Sequence, residues 1–130
     1  MSKVIKDDFY RVQRIHFYCE SITEFMRNKT FMDLKHDNQL NFAVIFALGQ
    51  IGEQMNKLTD ELKAKDVNIP WKDIISMRHK IVHDYEGVNL DIIWESVQEG
   101  IPQLLEQINK ILNEEMINNE SSTNSTNSTH

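Results

Sequence analysis

Apolar residues return every three or four positions along nearly the whole chain, and almost nothing interrupts them. Only four glycines and two prolines occur in 130 residues. That interval places apolar side chains on one face of a helix, whereas a half-buried strand alternates every second residue. No stretch alternates in that way, and no internal repeat is visible. The expected fold is therefore all-α, an antiparallel bundle of four main helices with a short extra helix. A chain of this length with 40% hydrophobic residues suits one domain with a modest core.

The first helix is expected over about Lys3–Arg27, with Ile5, Phe9, Val12, Ile15, Cys19, Ile22 and Met26 as its buried stripe. His16 lies beside that stripe and reads as a boundary histidine. A short turn from Thr30 to Lys35 has capping-box spacing at Thr30 and Asp33, and Phe31 and Leu34 can fold it back onto the core. The second long helix is expected over Asn38–Lys57, on Leu40, Val44, Ala47, Leu48, Ile51, Met55 and Leu58. Gly49 and Gly52 sit on it, each costing about 1 kcal/mol relative to alanine, which points to close approach by another helix. Thr59–Asn68 reads as a frayed turn and loop.

The third helix is expected over Pro70–Asp84, with proline in the first turn and Gly87 as a C-terminal stop. Asn89 is a good N-cap for a fourth helix running to about Glu115. Its apolar face begins at Ile92 and Ile93, and Pro102 should kink it. Residues 1–116 thus form the bundle. The polar tail 117–130 has too little apolar surface to order itself, and its Asn-Ser-Thr triplets read as chance matches.

The formal net charge of −6 excludes a general phosphate-binding surface, so any nucleic-acid contact must be local. A single cysteine, Cys19, leaves no internal disulfide. The first residues lack the apolar core of a signal peptide, and no apolar run is long enough for a membrane. A cytoplasmic setting is expected.

Chemistry concentrates in Ile69–Trp94, IPWKDIISMRHKIVHDYEGVNLDIIW. Arg78, His79, Lys80, His83, Asp84 and Tyr85 crowd into the end of one helix and the turn after it. Arginine binds and neutralises phosphate through a planar fork, and histidine exchanges protons near neutral pH. Together they suit metal-free RNA cleavage. The spacing is awkward, because residues five apart point about 140° apart on a regular helix. Arg78 and His83 converge only if the helix frays or the arginine reaches around. Arg78 and Tyr85, seven apart, share a face if the helix continues that far. From Trp71 to Tyr85, Lys72, Arg78 and Lys80 against Asp73 and Asp84 give three minus two, or +1. On spacing alone the plainer reading, a solvated helix end whose cations complement the dipole, stands ahead of catalysis. His79 and His83 have the i, i+4 spacing of zinc ligands but lack the glutamate and third ligand of such sites, so no metal is expected.

The whole block resembles the HepT-like group of the HEPN superfamily, small all-α proteins paired with minimal nucleotidyltransferases in bacterial toxin–antitoxin operons. The group's motif of arginine, four residues, histidine, one residue and tyrosine is matched by Arg78, His83 and Tyr85. Ile69–Trp71, Met77, Gly87–Leu90, Trp94 and the Ile51-Gly52-Glu53 of the second helix fit as well, and the resemblance covers about Asp7 to Leu112. It implies a homodimeric ribonuclease toxin, with no cofactor and with RNA as substrate, in which Arg78 and His83 are the catalytic pair. It also implies that Tyr85 accepts AMP from the nucleotidyltransferase antitoxin. The family most often has asparagine where this chain has His79, which with Glu53 is a supporting candidate. A small bundle with little surplus core, and with one His83 where cleavage benefits from both a base and an acid, also points to a homodimer. A second reading remains: a catalytically silent nucleotide-binding or dimerisation module acting through the same partner.

Overall fold

The computed structural model describes residues 6–65, 68–83 and 89–127, and the side chains of 7–65, 68–81 and 89–114. Among the described residues every regular element is helical. Helix α1 spans Lys6–Phe25, α2 Phe31–His36, α3 Asn38–Asn56, α4 Asp60–Lys63, α5 Trp71–His83 and α6 Leu90–Glu95. A π-helical turn, Ser96–Gly100, then leads directly into α7, Ile101–Asn127.

The helix starts follow local chemistry. Thr30 caps α2 by accepting from the Asp33 N–H at 3.1 Å, while Asp33 accepts from the Thr30 N–H at 2.8 Å. This completes the capping box. Asp37 ends α2 and caps α3, accepting from the Leu40 N–H. Asn89 caps α6 through the Asp91 N–H. Helix α1 gives way to a turn in which Asn28 takes φ 60°, a left-handed conformation that asparagine tolerates better than most residues.

The core runs between α1, α3 and α7. Val12, Ile15, Cys19 and Ile22 of α1 are fully enclosed, as are Val44 and Met55 of α3 and Ile108 of α7. All seven residues expected to form the second helix's stripe are buried. Burial pushes the Cys19 thiol up to about 12, so it is a packed side chain with little thiolate to react. Helix α2 folds back as anticipated: Leu34 is fully buried, and Phe31 meets Trp94 edge to face at 5.9 Å.

Four features depart from the sequence reading. Thr59–Asn68 includes α4, whose Leu62 is buried. Asp8, itself buried, accepts from the Thr59 N–H and hydroxyl and ties α1 to the cap of α4. Second, the interruption at Pro102 takes the form of a π turn. Proline cannot donate to the carbonyl four residues back and its ring collides with it. The wider turn just before Pro102 relieves both, with the Ile101 N–H reaching the Ser96 carbonyl. Third, Ile92 is half exposed instead of sharing the apolar face. Fourth, the α7 backbone is helical to Asn127, past the expected end near Glu115 and into the 117–130 segment read as a tail. No glycine or proline follows Pro102 to stop it.

Helix α3 packs against both α1 and α5, and α7 packs against α1. Helix α5 has no comparable contact with α7. Between them lies a groove of about 500 Å³, floored by Ile51, Ile74, Met77 and Leu104 and edged by Asp73, Glu95 and Glu99. The regular elements of the described residues are all helical, as expected, and the groove lies between α5 and α7 on a floor that α3 shares. No helix among the described residues is long and apolar enough to cross a membrane.

Candidate active site

Helix α5 reaches its place through its first residues. Trp71 is buried, and its indole N–H donates to the Lys63 carbonyl at the end of α4 at 3.0 Å. Ile69, just before it, is also buried. From that anchor α5 crosses α3 at Gly52. A Cβ on Gly52 would overlap the Arg78 Cβ and lie 3.0 Å from its Cγ and 3.1 Å from the Ile74 carbonyl oxygen. The close approach expected from the two glycines is thus made at Gly52. At Gly49 the added atom would meet only Ile81, at an ordinary 3.5 Å.

This crossing delivers Arg78 to Glu53, the residue after the glycine. The Arg78 guanidinium pairs with one Glu53 carboxylate oxygen, and Lys57 Nζ lies 3.3 Å from the other. Arg78 and Glu53 keep about a quarter of their side-chain surface exposed, so the pair is shielded on one side and reachable from the other. A carboxylate that anchors one side of a guanidinium leaves further N–H donors for a phosphate oxygen. Nearby, the Arg11 Nη1 donates to Gln54 Oε1 at 3.2 Å, setting a further cation beside the same stretch of α3.

The structure brings together two of the five residues singled out from the sequence, Arg78 and Glu53. His79 is exposed on the adjoining side of α5. The backbone is helical through His83, so the helix does not fray before it. The side chain of His83 lies outside the described residues, and so does all of Tyr85. The expected stop at Gly87 falls there too. Sequence reasoning missed Lys57, although its i, i+4 spacing from Glu53 was a usable signal. It also missed Arg11, whose approach to α3 carries no local signature. Among the described residues no group of three or more histidine, cysteine, aspartate or glutamate side chains is arranged to hold a metal.

An all-helical scaffold that fixes a part-buried arginine and carboxylate at a helix crossing defines a small helical protein with a polar site on one flank. Comparison with known proteins gives the particular family. Residues 15–111 match the model described as "Ribonuclease HepT-like", and the chain belongs to that family. It is 39% identical over 97 residues to a protein named "Putative RNase" in Caldanaerobacter subterraneus subsp. tengcongensis, covering 75% of this chain and 87% of the relative. It is 38% identical over 92 residues to "Probable ribonuclease HepT" of Thermococcus cleftensis, covering 71% and 84%. It is 30% identical over 95 residues to a "Putative RNase" of Methanocaldococcus jannaschii, covering 73% and 78%. No solved structure matches the chain.

Proposed function

We propose that this protein is a metal-independent endoribonuclease acting as the toxin of a toxin–antitoxin pair. The observation that carries the reading is Arg78, seated over Gly52 and held by Glu53 in a half-shielded position, in a chain whose family is named for ribonuclease activity. Arg78 binds the scissile phosphate and stabilises the charge that builds on it. His83 takes the proton of the ribose 2′-hydroxyl, whose oxygen attacks phosphorus. The 5′-oxygen leaves with a proton from an acid, giving a 2′,3′-cyclic phosphate and a 5′-hydroxyl. A homodimer supplies that acid from the second protomer across a two-fold axis. Glu53 acts through Arg78 as a positioning residue, and His79 beside it tunes the pH dependence.

Silencing falls to Tyr85. Its phenol oxygen attacks the α-phosphorus of ATP on the partner nucleotidyltransferase, and pyrophosphate leaves. The bound AMP adds charge and bulk where RNA phosphate would bind. One observation favours the silent-module reading: the guanidinium of Arg78 is already answered by a carboxylate. Incubation of the purified protein with total RNA separates the two. Cleavage that leaves cyclic phosphate ends, survives chelator and disappears in His83→Ala supports the enzyme. Activity that persists in His83→Ala, or that is lost to chelator and restored by zinc, overturns the mechanism. Mass spectrometry after incubation with the partner and ATP should place AMP on the wild type and not on Tyr85→Phe.

A further inference from the structure

Along the seam between α1 and α3 runs a strip of aromatic rings and cations, in which Phe17, Phe42 and Phe46 are exposed and Tyr18 is half-buried against the core. Phe17 is 51% exposed, Phe42 55% and Phe46 62%. Phe17 meets Tyr18 edge to face at 5.3 Å, and Tyr18 meets Phe46 across the seam at 6.5 Å. The Arg14 guanidinium lies 4.6 Å from the centre of the Phe17 ring and 5.0 Å from that of Tyr18, and donates to the Tyr18 hydroxyl at 3.0 Å. Single exposed apolar residues are ordinary on protein surfaces, but contiguous sets mark binding surfaces.

The strip leads to the candidate active site. Helices α1 and α3 run antiparallel, with Asp8 bonded to Thr59, Arg11 to Gln54 and Tyr18 against Phe46. On α3, Phe42, Phe46, Glu53 and Lys57 fall on one face, because seven residues make nearly two full turns. Phe46 therefore stands about 10 Å along the axis from Glu53, the partner of Arg78. The charges at and beside this seam are Arg11, Arg14, Lys57 and Arg78 against Asp7, Asp8 and Glu53, four minus three or +1, in a chain of −6.

We propose that this strip holds the unpaired bases of a single-stranded RNA next to the cleaved phosphate. Phe17, Tyr18 and Phe46 serve as stacking platforms, and Arg11, Arg14 and Lys57 take the flanking phosphates. The proposal rests on the ribonuclease reading and adds the form of RNA and the surface that receives it. Stacking rings with interleaved arginines suit any unpaired base, since each has a π face and arginine both stacks and neutralises phosphate. A duplex keeps its bases stacked inside and offers none. A second copy of the chain is the less suitable occupant, because a two-fold axis through the strip would bring the same cations to both sides.

The test compares an unstructured oligoribonucleotide, its duplex and a dinucleotide too short to reach the rings. In Phe46→Leu and Phe17→Leu, which keep apolar bulk but lose the π face, KM for the oligonucleotide should rise roughly tenfold. The kcat for the oligonucleotide and the kinetics on the dinucleotide should not change, and Phe46→Tyr should restore binding. Fluorescence anisotropy with the same oligonucleotide should show the same loss, with the duplex bound weakly throughout. Because binding is read without turnover, a wild type that binds but cleaves nothing defeats the ribonuclease reading while leaving the strip standing. Unchanged oligonucleotide binding in both leucine variants overturns the proposal. So does a drop in molecular mass by light scattering without loss of RNA binding, which would make the strip a contact between two copies.

Discussion

Helix α3 meets its two long neighbours in opposite ways. Toward α1 it presents branched, fully enclosed side chains, and the two helices are further tied by Arg11–Gln54 and by Asp8 at the Thr59 cap. Toward α5 it presents a missing side chain: Gly52 lets Arg78 lie directly on the backbone. The two contacts are similar in extent. The first is made of many replaceable parts, whereas the closest approach of the second depends on one residue being as small as possible. One core joins α1, α3, α5 and α7, but the seat of the arginine turns on Gly52, so a cavity at the α1 end of that core and a clash at the crossing should act differently.

The comparison breaks most visibly in the core. Ile15→Ala should cost about 2–5 kcal/mol, read as a lower midpoint in urea. Activity per folded molecule should stay at the wild-type level. A loss of cleavage well below the unfolding transition would show that the buried core beneath α1, and not only the crossing at Gly52, sets the arginine.

Gly52→Ala sharpens it from the other side. The added methyl meets Arg78 and the Ile74 carbonyl, so α5 must shift. We expect a smaller stability loss, roughly 1–3 kcal/mol, and a loss of cleavage larger than that number explains. Denaturation and gel-based cleavage on the same preparation check it. Normal activity would mean that the crossing does not set the arginine.

Thr59→Val removes the hydroxyl that bonds Asp8 and caps α4. It should cost about 1–2 kcal/mol with cleavage nearly intact, because the tie joins α1 to the start of α4 while Trp71 of α5 is held at its far end, Lys63. Loss of activity with little loss of stability would show that this tie also sets the crossing.

The smallest effect comes from the Thr30 cap. The Thr30 backbone N–H, and after it the Thr30 side chain, hold the Asp33 carboxyl below its ordinary value of 3.8. Folding thus favours the charged form, and its contribution is complete above that pH and lost as the pH falls through the lower folded value. Asp33→Asn should flatten stability against pH in that acidic window and leave cleavage at neutral pH untouched, as thermal melts across the range would show.

The parts of this molecule that were legible beforehand are those governed by local rules. Apolar period gave the α1 and α3 stripes, the caps at Thr30 and Asn89 followed from side-chain chemistry, and paired glycines signalled the crossing. Glu53 was a candidate through the family resemblance of Ile51-Gly52-Glu53, and only the structure pairs it with Arg78. The rest depends on contacts distant in sequence. Asp8 finds Thr59 across 51 positions, and nothing near Thr59 predicts α4's anchoring. Ile92 carries the right spacing for the core but faces the groove that α5 and α7 leave between them. Phe42 and Phe46 were outside the buried stripe, yet only the meeting of α1 with α3 shows that they join Phe17 and Tyr18 in one surface.

The one-sided support of α5 has a consequence for how its amides exchange with solvent. A helix that packs on α3, is pinned at its start by Trp71, and faces a groove where α7 would otherwise press on it can open without opening the rest. Its backbone should form a low-energy unit in hydrogen exchange, protected less than α1 and α3, whose amides open only with the global transition. The helix that carries Arg78 would then sample detached states many times within the lifetime of one folded molecule, and a ligand bridging Arg78 and Glu53 would register first as slower deuterium uptake there.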